Sequence, residues 1–426
     1  MDYLLKNATV LDGTREMMPQ PQTDVLVENG RIRAVGRGLV PPPGAETVDL
    51  SGKYLMPGLC NLHVHLPAGG RPGKQRDQKK LARLVLQHAA VKRVAFALCA
   101  AYAKDELFSG VTTLRAVGGL ADIDTRLRDL INSGRRIGPR ILAANMAIGP
   151  VGGHMVGTVA EAAHSEQEAL RMVRERAGQG VDLIKLMVTG GVLDATVRGE
   201  PGVLKMPPAL CRVCCEEAHR LHLPVAAHVQ SAAGVRAAVE SGVDTIEHGA
   251  ALDEAAILAL QNSGSAVICT ISPAFPLAKF PRETLGVSEE VQFNSGVVLN
   301  GMIEGAKQAL AAGIPVGLGT DTGCPYTTHY NMWRELAFYT AFVGVTPAFA
   351  LHTATLLNAQ LVGLGDETGS VEPGKSADLF VTERDPLQSF SAMREPYLVM
   401  ARGRLFIRPK AKKYRQTDDL LDQYMP

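Results

Sequence analysis

Five strand-sized apolar runs in this chain each end on, or just after, a residue able to bind a metal. The run 57–66 carries His63 and His65 two residues apart. On a strand, residues i and i+2 share a face, so the two imidazoles project together. Their nitrogens suit Zn²⁺ and similar ions. The run 181–188 holds one lysine, Lys185. The run 224–228 ends in His228, 243–249 carries His248, and 314–321 ends in Asp321. Each is a buried-strand pattern followed by Gly or a polar loop. Polar groups at the C-terminal ends of parallel strands are where a (β/α)₈ barrel builds its site.

The stretches between these runs fit the same fold. Helical patterns are expected at 77–106, 123–133, 165–177, 207–221, 232–240, 252–262, 290–312, 332–342 and 347–362. Further strands are expected at 111–116, 140–147 and 266–272. Counting the His63–His65 strand, eight strands alternate with helices, which argues for a closed parallel barrel. Residues 1–56 differ: short strands at 3–11, 25–35 and 45–55 are broken by turns, with Asn29-Gly30 as a hairpin signal. Short strands return at 377–381, 397–401 and 404–407. The expected architecture is α/β: a (β/α)₈ TIM-like barrel over 57–364, with a small β-sandwich built from 1–56 and 365–409. A charged tail, 410–426, is read as a loose arm.

At 426 residues the chain has room for both units. A formal net charge of +1 gives no reason to expect nucleic acid or an acidic membrane as partner. No apolar run reaches the ~18–20 residues of a membrane span. The N-terminal residues lack a signal-peptide pattern. Seven scattered cysteines do not make a disulfide framework. A reduced, cytoplasmic protein is expected.

Four histidines and an aspartate suffice for a metal site, and for two ions that share ligands. Lys185 is the odd member, since an ammonium cannot bind a metal and burying one is costly. Alone it could be an ion-paired core lysine or a Schiff-base nucleophile. Carboxylation by CO₂ would instead make it an anionic two-oxygen ligand able to bridge two ions. Water activated on such ions could attack a carbonyl, with Asp321 carrying the proton to the departing amine.

Several motifs together resemble the amidohydrolase superfamily. They are Met56-Pro57-Gly58 before His63-Val64-His65, Thr112-Thr113-Leu114-Arg115, Ile184-Lys185 with Thr189-Gly190-Gly191-Val192, His228, Glu247-His248-Gly249, Gly319-Thr320-Asp321, and the run 369–379. Within the superfamily the chain is similar to the imidazolonepropionase-like branch, which includes metal-dependent Xaa-Pro and Xaa-Lys/Arg dipeptidases. The resemblance implies two divalent ions, with Zn²⁺ expected. The first would sit on His63, His65 and Asp321. The second would sit on His228 and His248, with carboxylated Lys185 bridging the two. It implies hydrolysis by a metal-bound hydroxide. His154, in Gly152-Gly153-His154, matches a histidine that the branch places near the substrate carbonyl.

Three positions depart from the branch: Ala116 where an acid usually follows the arginine, Gln230 where an aromatic residue or histidine is common, and Asn61 where aspartate is common. Arg115 has two readings, as a guanidinium for a substrate carboxylate and as an ion pair inside the barrel. Gln230 is a candidate substrate contact. Cys211, Cys214 and Cys215, near His219 and His222, could suggest a second metal cluster, but helical spacing and the lack of a second C-x-x-C favour packing. The expected substrate is a small molecule: a dipeptide first, then an N-acyl amino acid or a cyclic amide. A homo-oligomer is expected. A barrel that has lost catalysis and serves as a scaffold is the competing class, and the filled ligand positions weigh against it.

Overall fold

The computed structural model describes residues 1–72, 77–195 and 197–426. Eight strands surround the barrel axis: β1 (Leu59–Val64), β2 (Val111–Ala116), β3 (Arg140–Ala143), β4 (Ile184–Met187), β5 (Val225–Val229), β6 (Thr245–His248), β7 (Ala266–Cys269) and β8 (Val316–Leu318). β1, β2 and β3 pair in parallel, as do β4 through β8. The seams close through a few hydrogen bonds. Asp321 N–H donates to His63 O at 2.8 Å and His65 N–H to Thr322 O at 2.8 Å, joining the end of β8 to β1. Asp182 N–H donates to Ala143 O at 2.9 Å, and its carboxylate accepts from Ala143 N–H at 2.8 Å, joining β3 to β4. Every residue of β1, β2, β4, β5, β6, β7 and β8 is buried, as strands covered on both faces should be.

The terminal segments interlock in one sheet. Its strand order is Arg404–Ile407, Leu398–Ala401, Leu379–Thr382, Tyr54–Pro57, Tyr3–Val10, Gln20–Glu28, Arg31–Gly36, with Glu46–Asp49 also on Tyr3–Val10. The chain ends meet where Leu379–Thr382 pairs antiparallel with Tyr54–Pro57. The sheet has its own core, including Leu5, Val25, Leu55, Leu379 and Met400. The step from this sheet into β1 needs glycine at 58, because a Cβ there would lie 2.1 Å from the Thr112 hydroxyl oxygen.

Two expectations change. The single helix expected over 77–106 is two helices, Gln78–Gln87 and Ala89–Phe108, set at 113° to each other. The break is His88, whose backbone is extended. Neither composition nor periodicity marks that residue, since no Gly or Pro stands there. The tail is not a loose arm. Residues Arg415–Asp422 form a helix with Thr417, Asp418 and Leu421 buried against the barrel. Its amphipathic spacing was hidden among the charges that suggested solvation. Among the described residues, no single helix is long and apolar enough to cross a membrane.

Candidate metal centre

The ligand candidates converge at the C-terminal end of the barrel. His63 and His65 come from β1 and the residue after it. His228 lies within β5, and His248 ends β6. On β6, Thr245 and Glu247 share a face and His248 would point the other way. A left-handed backbone at His248, φ 68°, ends that alternation. Asp321 is also left-handed, φ 53°. One donor atom from each of His63, His65 and Asp321 lies within 4.8 Å of the others. The Asp321 carboxylate is 3.2 Å from His65 Nε2 and 3.5 Å from His63 Nε2.

Each imidazole is aimed by a partner on its other nitrogen, the arrangement that orients histidine ligands. His63 Nδ1 is 2.7 Å from the Glu247 carboxylate, His65 Nδ1 is 3.0 Å from Gly118 O, and His248 Nδ1 is 2.7 Å from the Thr270 hydroxyl. His228 Nε2 faces Gly190 O at 3.1 Å, leaving its Nδ1 uncommitted. The rings form a continuous cluster. His63 to His248 is 4.8 Å between centroids, His248 to His228 is 4.7 Å, and His228 to His154 is 4.2 Å with the planes nearly parallel.

Burial, aided by the neighbouring positive groups, holds His228 and His248 well below the usual histidine range. Burial and the Lys185 charge bring His63 down to about 4. Neutral imidazole is the form that binds metal. Burial also opposes charge on His65, but the hydrogen bond and charge of Asp321 outweigh it and raise its pKa. Asp321 is held well below the ordinary carboxylate range: burial works against its charge, and His63 and His65 overcome that. Lys185, 2% exposed, has no hydrogen-bond partner at Nζ. Desolvation lowers its pKa to about 8. A buried nitrogen without a partner, near a carboxylate and imidazoles of which three are held in the neutral form, fits a site built for added anionic and cationic groups.

The remaining candidates fall at different depths. His154 lies at the edge of the ring cluster. Its Nδ1 is 2.5 Å from Asp194 Oδ1, which also accepts from Gly191 N–H at 3.0 Å. Gln230 is half-buried, with a side-chain oxygen that has no partner. Arg115 is buried deeper in the barrel. Its Nε donates to Leu62 O at 2.7 Å, Nη1 to the Thr245 hydroxyl at 2.9 Å and Nη2 to Glu247 at 2.6 Å. Of its two readings, this geometry matches the ion pair: the guanidinium is spent on Glu247 and does not face the ligand cluster. Cys211, Cys214 and Cys215 are packed in the barrel's hydrophobic core, on the helix Pro208–Arg220. They belong to no metal-competent group among the described residues. Sequence reasoning gave no role to Glu247, Thr270 or Asp194. Glu247 had a signal, an acid in an apolar strand beside a ligand histidine. Thr270 and Asp194 had none.

The amidohydrolase family profile matches residues 54–406. An ochratoxinase from Aspergillus niger is 27% identical over 372 residues, covering 81% of this chain and 73% of that one. A crystal structure from Bifidobacterium longum, provisionally described as a prolidase, superposes with a TM-score of 0.87 at 35% identity, covering 99% and 98% of the two chains. A Xaa-Pro dipeptidase with methionine bound in its active site superposes with a TM-score of 0.83 at 26% identity, covering 96% and 100%.

Proposed function

This chain belongs to the amidohydrolase family, as a hydrolase of C–N bonds, and on that premise we propose that it cleaves the peptide bond of a dipeptide at a two-metal centre. The observation that carries the reading is the convergence of His63, His65 and Asp321, beside a buried lysine amine without a partner whose charge acts on His63 and Asp321. His63, His65 and Asp321 would hold one divalent ion through the two Nε2 atoms and the carboxylate. His228 and His248 would hold the second. Zn²⁺ suits this nitrogen and oxygen donor set.

Lys185 would bridge the two ions as a carbamate. Its neutral amine adds to the carbon of CO₂, an N–C bond forms, and one proton leaves. The product is an anion with two oxygens, where an ammonium would repel the ions. When bound, the ions supply Lewis acidity toward the carbonyl oxygen and acidify a water. Asp321 would accept a proton from the attacking water as the water oxygen adds to the carbonyl carbon. It returns the proton to the amine nitrogen as the C–N bond breaks. His154, fixed by Asp194, hydrogen-bonds the oxygen on which negative charge develops. Gln230 offers a neutral amide to the substrate. With Arg115 committed to Glu247, recognition of a substrate carboxylate falls to groups at the barrel mouth.

A second reading, hydrolysis of an amide other than a dipeptide, with an N-acyl amino acid first, stands beside it because an ochratoxinase is among the similar proteins. One experiment separates these readings. Protein purified without chelator is analysed for metal, then offered dipeptides, their C-terminal amides, N-acyl amino acids and cyclic amides. About two ions per chain and turnover of dipeptides are expected. Preference for N-acyl amino acids promotes the second reading. Metal near zero with no turnover of any class refutes both.

A further inference from the structure

We infer that Asp418 and Arg334 are positioning residues for the metal centre, through which the C-terminal helix straps down the two strand-end loops that carry Asp321 and support His248. The inference rests on the metal-centre reading above. The loop after β8 carries Asp321, whose left-handed backbone must be held by its surroundings. Its far end is tied to the C-terminal segment. Tyr330 O–H donates to Asp418 at 3.1 Å, and Tyr414 N–H donates to the Tyr330 oxygen at 2.7 Å. Asn331 Nδ2 donates to Asp418 at 3.4 Å.

The next element is the helix Met332–Phe338. Its Arg334 is 2% exposed. Among the described residues, its carboxylate partners are Asp418 at 3.3 Å and Asp422 at 2.7 Å, both from Arg415–Asp422. Glu335, adjacent in sequence, is fully buried and accepts from Ile271 N–H at 2.6 Å and Ser272 N–H at 2.8 Å. Those amides open the helix Ile271–Lys279, directly after Thr270, whose hydroxyl aims His248. At the far end of that helix, Phe280 packs on Tyr326 of the Asp321 loop and on Tyr424 of the tail, with Leu421 beside them. The tail therefore touches both loops at separate points.

A buried cation that loses a carboxylate partner leaves its place or costs the fold heavily. Either way the helix Met332–Phe338 shifts, and Glu335 shifts with it. Networks of this kind modulate a distant site by a modest factor.

The test uses full-length Asp418→Ala, Asp418→Glu and Tyr330→Phe. Zn²⁺ affinity is measured by chelator competition, and melting of the metal-free protein reports stability separately. Hydrogen exchange of the metal-free protein follows the amides of Ile271, Ser272 and Asp321. Asp418→Ala is expected to weaken Zn²⁺ binding roughly 2- to 30-fold and to speed exchange at those amides, with Asp418→Glu restoring part of both. Tyr330→Phe, which loses the two hydrogen bonds of the hydroxyl and keeps the ion pairs, changes both in the same direction by less, and it carries the test if Asp418→Ala does not fold. A lower melting temperature with unchanged Zn²⁺ affinity and unchanged exchange would overturn the inference. Accelerated exchange in a protein whose wild type binds no Zn²⁺ would overturn the metal-centre reading and leave the strap standing.

Discussion

The two ends of the barrel treat buried charge in opposite ways. At the C-terminal end, Lys185 Nζ and the Gln230 side-chain oxygen are buried with no partner. Toward the other end, Arg115 gives N–H groups to three acceptors, one of them the Glu247 carboxylate. Arg115 also forms part of the wall of a cavity of about 450 Å³. That cavity opens among Leu183, Val225, Thr245 and Ala266, at the starts of β4 to β7. Volume alone would make it a ligand pocket. Yet its rim holds Asp182 and Asp244, already paired with Arg128 and His219. A satisfied buried charge reports on the fold. An unsatisfied one reports a partner still to come.

Asp321→Asn should break the reactive end most. The amide keeps the shape and removes the proposed proton carrier. Turnover is expected to fall by ~10²–10⁴-fold with the fold retained. Near wild-type rates in a folded variant would place the proton carrier elsewhere.

Arg115→Met should break the satisfied end instead. It leaves Glu247 buried without its cation, and losing one partner of a buried pair typically costs about 3–5 kcal/mol. Denaturant unfolding measures the loss. The ratio of dipeptide turnover to that of its C-terminal amide should not move, because the guanidinium does not meet the substrate. A ratio that collapses with stability unchanged would restore Arg115 as a carboxylate receptor.

The contrast explains what the sequence could and could not disclose. The barrel and the candidate ligands were legible because each candidate lies in or near the end of an apolar run, although strand period alone would have turned His248 away from the others. The two readings of Arg115 were equally open, because its partner Glu247 is 132 residues away and only the closed barrel brings them together. The helix break at His88 and the docking of Arg415–Asp422 also depend on contacts distant in sequence. Their local residues look like continued helix and solvated charge.

Lys185→Ala sharpens the comparison from the other side. Without the bridging group, metal retention and activity should drop by roughly 10- to 100-fold, as for other groups that support a metal site. Short carboxylic acids should restore part of the activity by supplying the missing oxygens. Native mass spectrometry of the loaded wild type should find a carboxylated lysine. An unmodified lysine in a fully active, metal-loaded protein would refute the bridge.

The smallest expected effect is a pH dependence of the metal-free state. There, burial lowers the Lys185 pKa from 10.5 to about 8. Below about pH 8 the amine is protonated in both the folded and unfolded chains, and the cost of burying the charge is fully present. Between about 8 and 10.5 the folded protein has released this proton and the unfolded chain still holds it. The unfolded state then binds more protons, so stability rises with pH across that window. Metal-stripped wild type should therefore gain stability relative to Lys185→Met as pH climbs through it. A flat difference between the stripped proteins would mean that Lys185 stays charged and well solvated in the folded chain, and its amine would then no longer mark the reactive end of the barrel.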